Sequence, residues 1–308
     1  MRRFRDIKII GIDHGYGNIK TATTVTPTGI TAYTSEPTFG GNILRYDGMY
    51  YRIGEGHKSF LADKSSDNDF YLFTLMAIAK ELDSEGIYEA QVHIAAGLPL
   101  TWVRGQKAAF SEYLMRNKNV EFEYEKHKFS VELTGCSIYP QGYCSVVDSL
   151  PYLVGVNMLA DIGNGTMNIM FINNKRAIES KCYTEKLGVE QCVILAKNAV
   201  MDSFNVKIDE DIIQEVLCAG TADIPQKYLD CITAAARQYC GDVLNALRRY
   251  EYDPDLMRLY VTGGGAVVME NFGELPNDRV TFVEDICANA KGYEHLAERE
   301  LFRKAHSV

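Results

Sequence analysis

The residues best suited to chemistry form a short phrase that the chain writes twice. The first copy is Asp13-His14-Gly15-Tyr16-Gly17-Asn18-Ile19-Lys20. The second, 148 positions later (161 − 13), is Asp161-Ile162-Gly163-Asn164-Gly165-Thr166-Met167-Asn168. Each joins one carboxylate to two glycines and small polar residues. Glycines let a turn adopt positive φ and bring bare backbone close to a ligand. Exposed amides in such a turn make a concave anion site, suited above all to phosphate. A carboxylate beside phosphates suits Mg²⁺, which takes oxygen ligands and keeps its waters. One copy alone is an ordinary glycine-rich hairpin. Two copies half a chain apart signal internal duplication, and two such hairpins facing each other would hold a nucleotide polyphosphate and its metal from both sides.

Two further turns have the same character. Thr262-Gly263-Gly264-Gly265-Ala266 lies between an apolar strand and a helix, where helix N-terminal amides and bare backbone meet a ligand. Its glycines are consecutive, unlike the dinucleotide fingerprint, and a G-x-x-x-x-G-K-[ST] phosphate loop is absent from the chain. Pro140-Gln141-Gly142 breaks the end of another strand.

The elements that must position these turns follow from apolar patterning. In the first half, strands are predicted at Ile7–Ile12, Ile19–Val25 and Ile30–Tyr33, as an antiparallel meander with the first Asp-Gly turn at its first bend. A hairpin with an Asp47-Gly48 turn and a helix over 70–82 read as a small insertion, about residues 34–87. A strand from Tyr88 to Ala96, a helix over 101–117, a hairpin of 120–124 with 128–133, a strand at 136–139 and a short helix over 145–152 complete that half. The second half opens with strands at 156–161, 168–172 and 175–183. Helices follow to Met201, over 209–217 and over 224–250, then a strand at 256–261, a helix from Val267, a short strand at 281–283 and a terminal helix over 289–305. Each half therefore places three strands first and then alternates helices and strands. The predicted organisation is a first lobe, 1–153, and a second, 154–308, with the terminal helix either staying in the second lobe or crossing back to the first.

Composition narrows the function classes. The 308 residues are 46% hydrophobic and 24% charged, as expected of a globular chain with a sizeable core. The net charge of −9 argues against direct, non-specific DNA binding, which needs a cationic surface. The sequence shows neither a signal peptide nor an apolar run long enough to cross a bilayer. None of the eight cysteines forms a C-x-x-C pair, so zinc and redox readings lack support, and reduced, buried thiols in a cytoplasmic protein are expected. The six histidines show no metal-ligand spacing.

Taken in order, the first Asp-Gly turn, the Pro140-Gln141-Gly142 segment, the second Asp-Gly turn, the glycine run and the terminal segment resemble the actin/sugar-kinase/heat-shock ATPase superfamily, over almost the whole chain. The D-x-G-x-x-N-x-K form of the first turn, the strand ending in Gly97-Leu98-Pro99 and the Asn289-Ala290-Lys291-Gly292-Tyr293 segment are similar to the ParM/StbA branch of actin-like plasmid-segregation ATPases. The resemblance implies an α/β, actin-like (ribonuclease H-like) fold: two similar lobes, each a mixed sheet flanked by helices, with a nucleotide cleft between them.

It also implies roles. Asp13 would hold Mg²⁺ through water and Lys20 would reach the phosphates of ATP or GTP. Gly15, Tyr16, Gly17 and Asn18 would form the first phosphate loop, and Gly163, Asn164, Gly165 and Thr166 the second. Asp161 would sit by the metal and the attacking water. Gln141 falls where actin-like ATPases orient that water. ParM-type chains often place Glu there; Gln orients water but barely accepts a proton, so slow hydrolysis is expected, since phosphoryl transfer depends mostly on positioning and charge stabilisation. Gly263, Gly264 and Gly265 would pack against the adenosine. Glu190 would reach the ribose, or is simply a solvated helix charge. His14 reads as structural and Trp102 as core.

The function so implied is a filament-forming ATPase that assembles with itself head to tail, because a heterologous contact repeated without closure gives an open filament. It would move or segregate plasmid DNA through a DNA-binding adaptor, without touching nucleic acid or membrane itself. The alternatives are a small-molecule kinase or a non-filamentous ATP-binding regulator or scaffold on the same fold.

Overall fold

The structure, a computed structural model, describes residues 1–38, 40–56, 64–66, 68–275 and 278–306. Part of the predicted insertion, residues 39, 57–63 and 67, therefore lies outside the described residues. The chain divides into two compact units, Met1–Asp148 with Cys287–Val308, and Ser149–Ile286.

The first unit begins with strands β1 (Arg2–Phe4), β2 (Ile7–His14), β3 (Asn18–Lys20), β4 (Val25–Pro27), β5 (Ile30–Tyr33), β6 (Ile43–Tyr46) and β7 (Met49–Ile53). Helix α1 (Asp69–Asp83), strand β8 (Glu89–Leu98), helix α2 (Leu100–Leu114) and strands β9 (Asn119–Tyr124) and β10 (His127–Pro140) follow. The strands form one sheet in the order β4-β3-β2-β8-β10-β9-β6-β7-β5, with β1 on β2. β2, β8 and β10 run parallel at its centre. Such strands are covered on both faces, which is why β2 is buried from Lys8 to His14. α1 is apolar from Phe70 to Ala79 apart from Thr74, and that stretch lies in the core, with Phe70, Phe73 and Met76 sealed. Two strand predictions shift. The expected Ile19–Val25 strand splits into β3 and β4 at Thr21–Thr24, so β4 completes the meander and β5 pairs with β7 instead. The strands expected at 128–133 and 136–139 are one strand, β10, bulged between Leu133 and Gly135.

The second unit contains β11 (Val156–Ile162), β12 (Met167–Asn173), β13 (Arg176–Glu185), α3 (Val189–Phe204), α4 (Glu210–Ala219), α5 (Gln226–Arg249), β14 (Arg258–Thr262), α6 (Gly265–Phe272) and β15 (Val280–Phe282). Its sheet order is β13-β12-β11-β14-β15. The first three strands are antiparallel and the last two parallel to β11. β4-β3-β2-β8-β10 repeats this order and these directions, so the duplicated phrase belongs to a duplicated five-strand sheet. α5 buries Ile232, Ala235, Ala236, Tyr239, Cys240, Val243, Ala246 and Leu247, a stripe at helical spacing, into a single core with the strands.

After β15 the last helix, α7 (Ala288–His306), packs in the first unit against β1, β2 and β8. It approaches β2 so closely that a Cβ on Gly11 would lie 2.0 Å from the Ala290 carbonyl oxygen. Glu294 of α7 accepts hydrogen bonds from the Gly11 amide (3.1 Å) and the Arg2 amide (3.2 Å), which gives the β2 edge a partner where β1 has ended. Among the described residues, no helix is long and apolar enough to cross a membrane.

Candidate active site

The first Asp-Gly turn closes the β2–β3 hairpin, in which Asp13 pairs with Lys20 and His14 with Ile19. The Gly15 amide donates to the Asp13 carbonyl at 3.0 Å and tightens the bend. The carbonyls of the turn are held from behind. Buried Thr28 donates its hydroxyl to the carbonyls of Tyr16 and Gly17, and its amide to Gly17 at 3.1 Å. Fixing a carbonyl fixes the whole planar peptide and therefore the direction of the next amide. Thr28 escaped notice in the sequence because Thr26-Pro27-Thr28-Gly29 reads only as a turn.

Asp13 is 5% exposed. The Gln141 side-chain amide donates to its Oδ1 at 2.9 Å, and Lys20 Nζ lies 3.9 Å from its Oδ2. Gln141 is placed by its own amide, which donates to the Leu98 carbonyl at 2.8 Å and continues the β10–β8 pairing. The next residue, Gly142, turns the chain with φ 75° and donates its amide to Asn289 Oδ1 at 2.9 Å. Asp13, Lys20 and Gln141 are thus brought together, with one carboxylate held between an amide and an ammonium.

Two neighbours complete this half. His14 is fully buried, its Nε2 bonded to the Thr74 hydroxyl at 2.8 Å and its ring edge-on to Phe70 and Phe110. Burial first, and the Lys64 charge second, push its pKa down to about 3, so it is a neutral structural residue at neutral pH. Lys64 is buried as well and donates from Nζ to the His14 carbonyl. Nothing in its sequence surroundings marks it.

In the second unit, Asp161 pairs with Asn168 and Ile162 with Met167, the register of the first hairpin. The Gly163 amide donates to the Thr166 carbonyl at 2.9 Å and closes the turn. The first turn of α3 abuts this backbone: the amides of Val189 and Glu190 donate to the carbonyls of Gly163 (3.0 Å) and Asn164 (2.9 Å). Gly188 permits that approach, since a Cβ there would meet the Asn164 carbonyl oxygen at 2.1 Å. The Glu190 carboxylate lies beside Gly165, 4.0 Å from where a Cβ would project, so Glu190 belongs to this turn's surroundings.

Asp161 is 7% exposed and pairs across β11–β14 with Thr262, which sets the glycine run alongside it. The three glycines divide their work. Gly263, at φ 82°, passes so close that a Cβ would lie 2.5 Å from the Ile162 carbonyl oxygen and 2.9 Å from Asp161 Oδ1. Gly265 packs on Ile162, where a Cβ would come within 2.2 Å of Cγ2. Gly264 alone faces open space, at the N-terminus of α6.

Among the described residues, no group of three or more His, Cys, Asp or Glu side chains could hold a metal ion by itself. Each turn offers a single carboxylate. That donor set suits a hydrated Mg²⁺ carried in by phosphates, which needs only one or two protein carboxylates.

Residues 11–143, which run from just before Asp13 to just beyond Gln141, match the family model described as the actin-like proteins N-terminal domain. No curated protein sequence matches the chain. Solved structures do. The archaeal actin homologue Ta0583, in complex with ADP, is 20% identical over 95% of this chain and all (100%) of that one, with a TM-score of 0.73. Apo pSK41 ParM is 17% identical over 98% and 99%, with a TM-score of 0.75. A 15-stranded ParM filament from Clostridium botulinum is 18% identical over 96% and 99%, with a TM-score of 0.72. The chain therefore has the actin-like fold, and its residues 11–143 are similar to the N-terminal domain of actin-like proteins.

Proposed function

We propose that the chain is a nucleotide-dependent, filament-forming ATPase. The observation that carries this reading is the pair of Asp-Gly hairpins in identical register, one in each unit, each with its backbone fixed by neighbouring groups. Each turn is suited by its exposed amides to the phosphates of ATP or GTP. The ADP complex of Ta0583 and the ParM filament support an adenine nucleotide and self-association.

In this reading Asp13 holds Mg²⁺ through water, and Lys20 reaches the phosphates. Gly15 to Asn18 and Gly163 to Thr166 offer backbone amides. The Gly264 backbone lies against the adenosine, while Gly263 and Gly265 keep the strand-to-helix turn tight. Glu190 reaches the ribose. When bound, Mg²⁺ neutralises charge on the phosphates. Gln141, steadied by Asp13, orients the lytic water, and Asp161 serves the same step. Neither an amide nor a partly shielded carboxylate is a strong base, so turnover is slow and rests on positioning. Head-to-tail association of copies gives the filament. The acidity of the chain fits cytoplasmic cargo, such as plasmid DNA, gripped through a basic, DNA-bound adaptor and not by the filament itself.

Sedimentation with Mg²⁺ and ATP, GTP, ADP or no nucleotide, with phosphate release followed in parallel, tests the proposal. Pelleting that requires a triphosphate and is followed by phosphate release is expected. Asp161→Ala should bind nucleotide and turn over at least tenfold more slowly. Turnover without pelleting at any concentration would refute the filament and favour a kinase or scaffold.

A further inference from the structure

We propose that Lys64 is a positioning residue that clamps the first phosphate turn, acting on the nucleotide through the turn's backbone. This inference rests on the nucleotide reading above for its effect on binding, but not for its effect on the turn.

Lys64 is 1% exposed and ranks among the largest sealed side chains of the described residues. Burying an ammonium is costly unless other groups replace its water. Its hydrogen-bond acceptor and one of its two aromatic neighbours come from the first turn. Nζ donates to the His14 carbonyl and lies 5.3 Å from the Tyr16 ring centroid and 5.7 Å from that of Phe70. Burial lowers its pKa to about 8, and the Asp13 charge opposes that shift. His14 and Tyr16 of the turn therefore contact a cation that comes from a segment some fifty positions away, with the Asp13 charge nearby.

The bond to the His14 carbonyl has a specific consequence. The peptide joining His14 to Gly15 is planar, so holding its oxygen on Lys64 aims the Gly15 amide the opposite way, onto the Asp13 carbonyl. Thr28 fixes the next peptides at Tyr16 and Gly17. Lys64 and Thr28 together hold the turn in one shape before any ligand arrives, and such preorganisation raises affinity by removing an ordering cost. His14 ties the same residue to α1 through Thr74, so the turn is gripped at both the carbonyl and the imidazole of His14. The sign of the charge also suits a polyphosphate held on the far side of the turn.

The test uses the full chain with Lys64→Met and, beside it, Lys64→Gln, which keeps a donor and loses the charge. Without nucleotide, Lys64→Met should unfold at a denaturant midpoint equal to or above wild type, because methionine fills the stem's volume without a buried charge. A lysine retained only for stability would give a lower midpoint. Amide hydrogen exchange at Gly15–Asn18 should quicken at least tenfold in nucleotide-free Lys64→Met, while β8 and α1 keep wild-type protection. MgATP affinity, read by calorimetry, should weaken at least tenfold, with KM for phosphate release rising more than kcat falls.

If neither variant folds, or if the exchange of Gly15–Asn18 is unchanged, the clamp is overturned. If wild type binds MgATP and a folded variant binds it within threefold, the clamp's link to nucleotide is overturned alone. If wild type binds no nucleotide, the proposed function fails, and exchange at the turn still decides the clamp.

Discussion

Glu294 offers a quantitative test of how α7 completes the first unit. The residue is 3% exposed, and burial raises its pKa from the ordinary 4.5 to about 7, partly opposed by the hydrogen bond from the Gly11 amide. Between pH 4.5 and 7 the folded chain holds a proton at Glu294 that the unfolded chain has released. Stability is therefore greater at the acid end and falls as pH rises through 7. At 1.36 kcal/mol per tenfold change in proton affinity, the full effect is about 3 kcal/mol, of which about 2.5 kcal/mol falls between pH 5 and pH 8. Glu294→Gln keeps an oxygen for the Gly11 amide and cannot ionise. Urea unfolding of both proteins at pH 5, 6, 7 and 8 isolates the term, because every other titrating group is common to both. Any cost of turning the amide nitrogen toward the Arg2 amide is the same at each pH and drops out. The variant should gain about 2.5 kcal/mol on wild type from pH 5 to pH 8. A constant difference across that range would refute the claim that a desolvated carboxylate sits against β2.

Two further predictions concern the turns. Gly264→Ala should leave stability within about 0.5 kcal/mol of wild type, since its Cβ meets nothing, whereas Gly265→Ala should cost about 1–3 kcal/mol by overpacking Ile162; urea midpoints compare them. Thr28→Val keeps the shape and the backbone bond to Gly17 but strips the hydroxyl from two carbonyls, so a loss of about 1–2 kcal/mol is expected, with weaker nucleotide binding by calorimetry.

Much of this architecture was legible in the residues themselves. The repeated Asp-x-Gly phrase sits where a strand must turn, and both copies fold in the same register because the pattern of apolar flanks is the same. The helices α1 and α5 follow from their apolar patterns. What stayed hidden depends on contacts between distant segments. Lys64 has no periodic neighbours that mark it, and its role exists only once α1 packs on β2. Thr28 looks like any turn residue until its hydroxyl is seen behind the turn. The glycine run reads as uniform, yet two of its members are claimed by Ile162 and only Gly264 stands open. The break at Thr21–Thr24 was missed because the Thr-rich stretch has good strand propensity; there, Thr hydroxyls and Glu81 bind the backbone in place of a ladder.

The division of the chain also orders its birth on the ribosome. The first unit is interrupted: Ser149–Ile286 is made before Cys287–Val308 arrives to finish what Met1–Asp148 began. At roughly 5–20 residues per second, that interval is on the order of ten seconds. Until α7 emerges, Phe4, Ile9, Ala95 and Cys144 lack the Tyr293 and Ala297 side chains that complete their cluster, and the Gly11 amide lacks Glu294. The second unit has its own contiguous core, which does not need α7. The nascent chain thus carries an open apolar seam next to its first Asp-Gly turn until α7, made after the whole second unit, closes it.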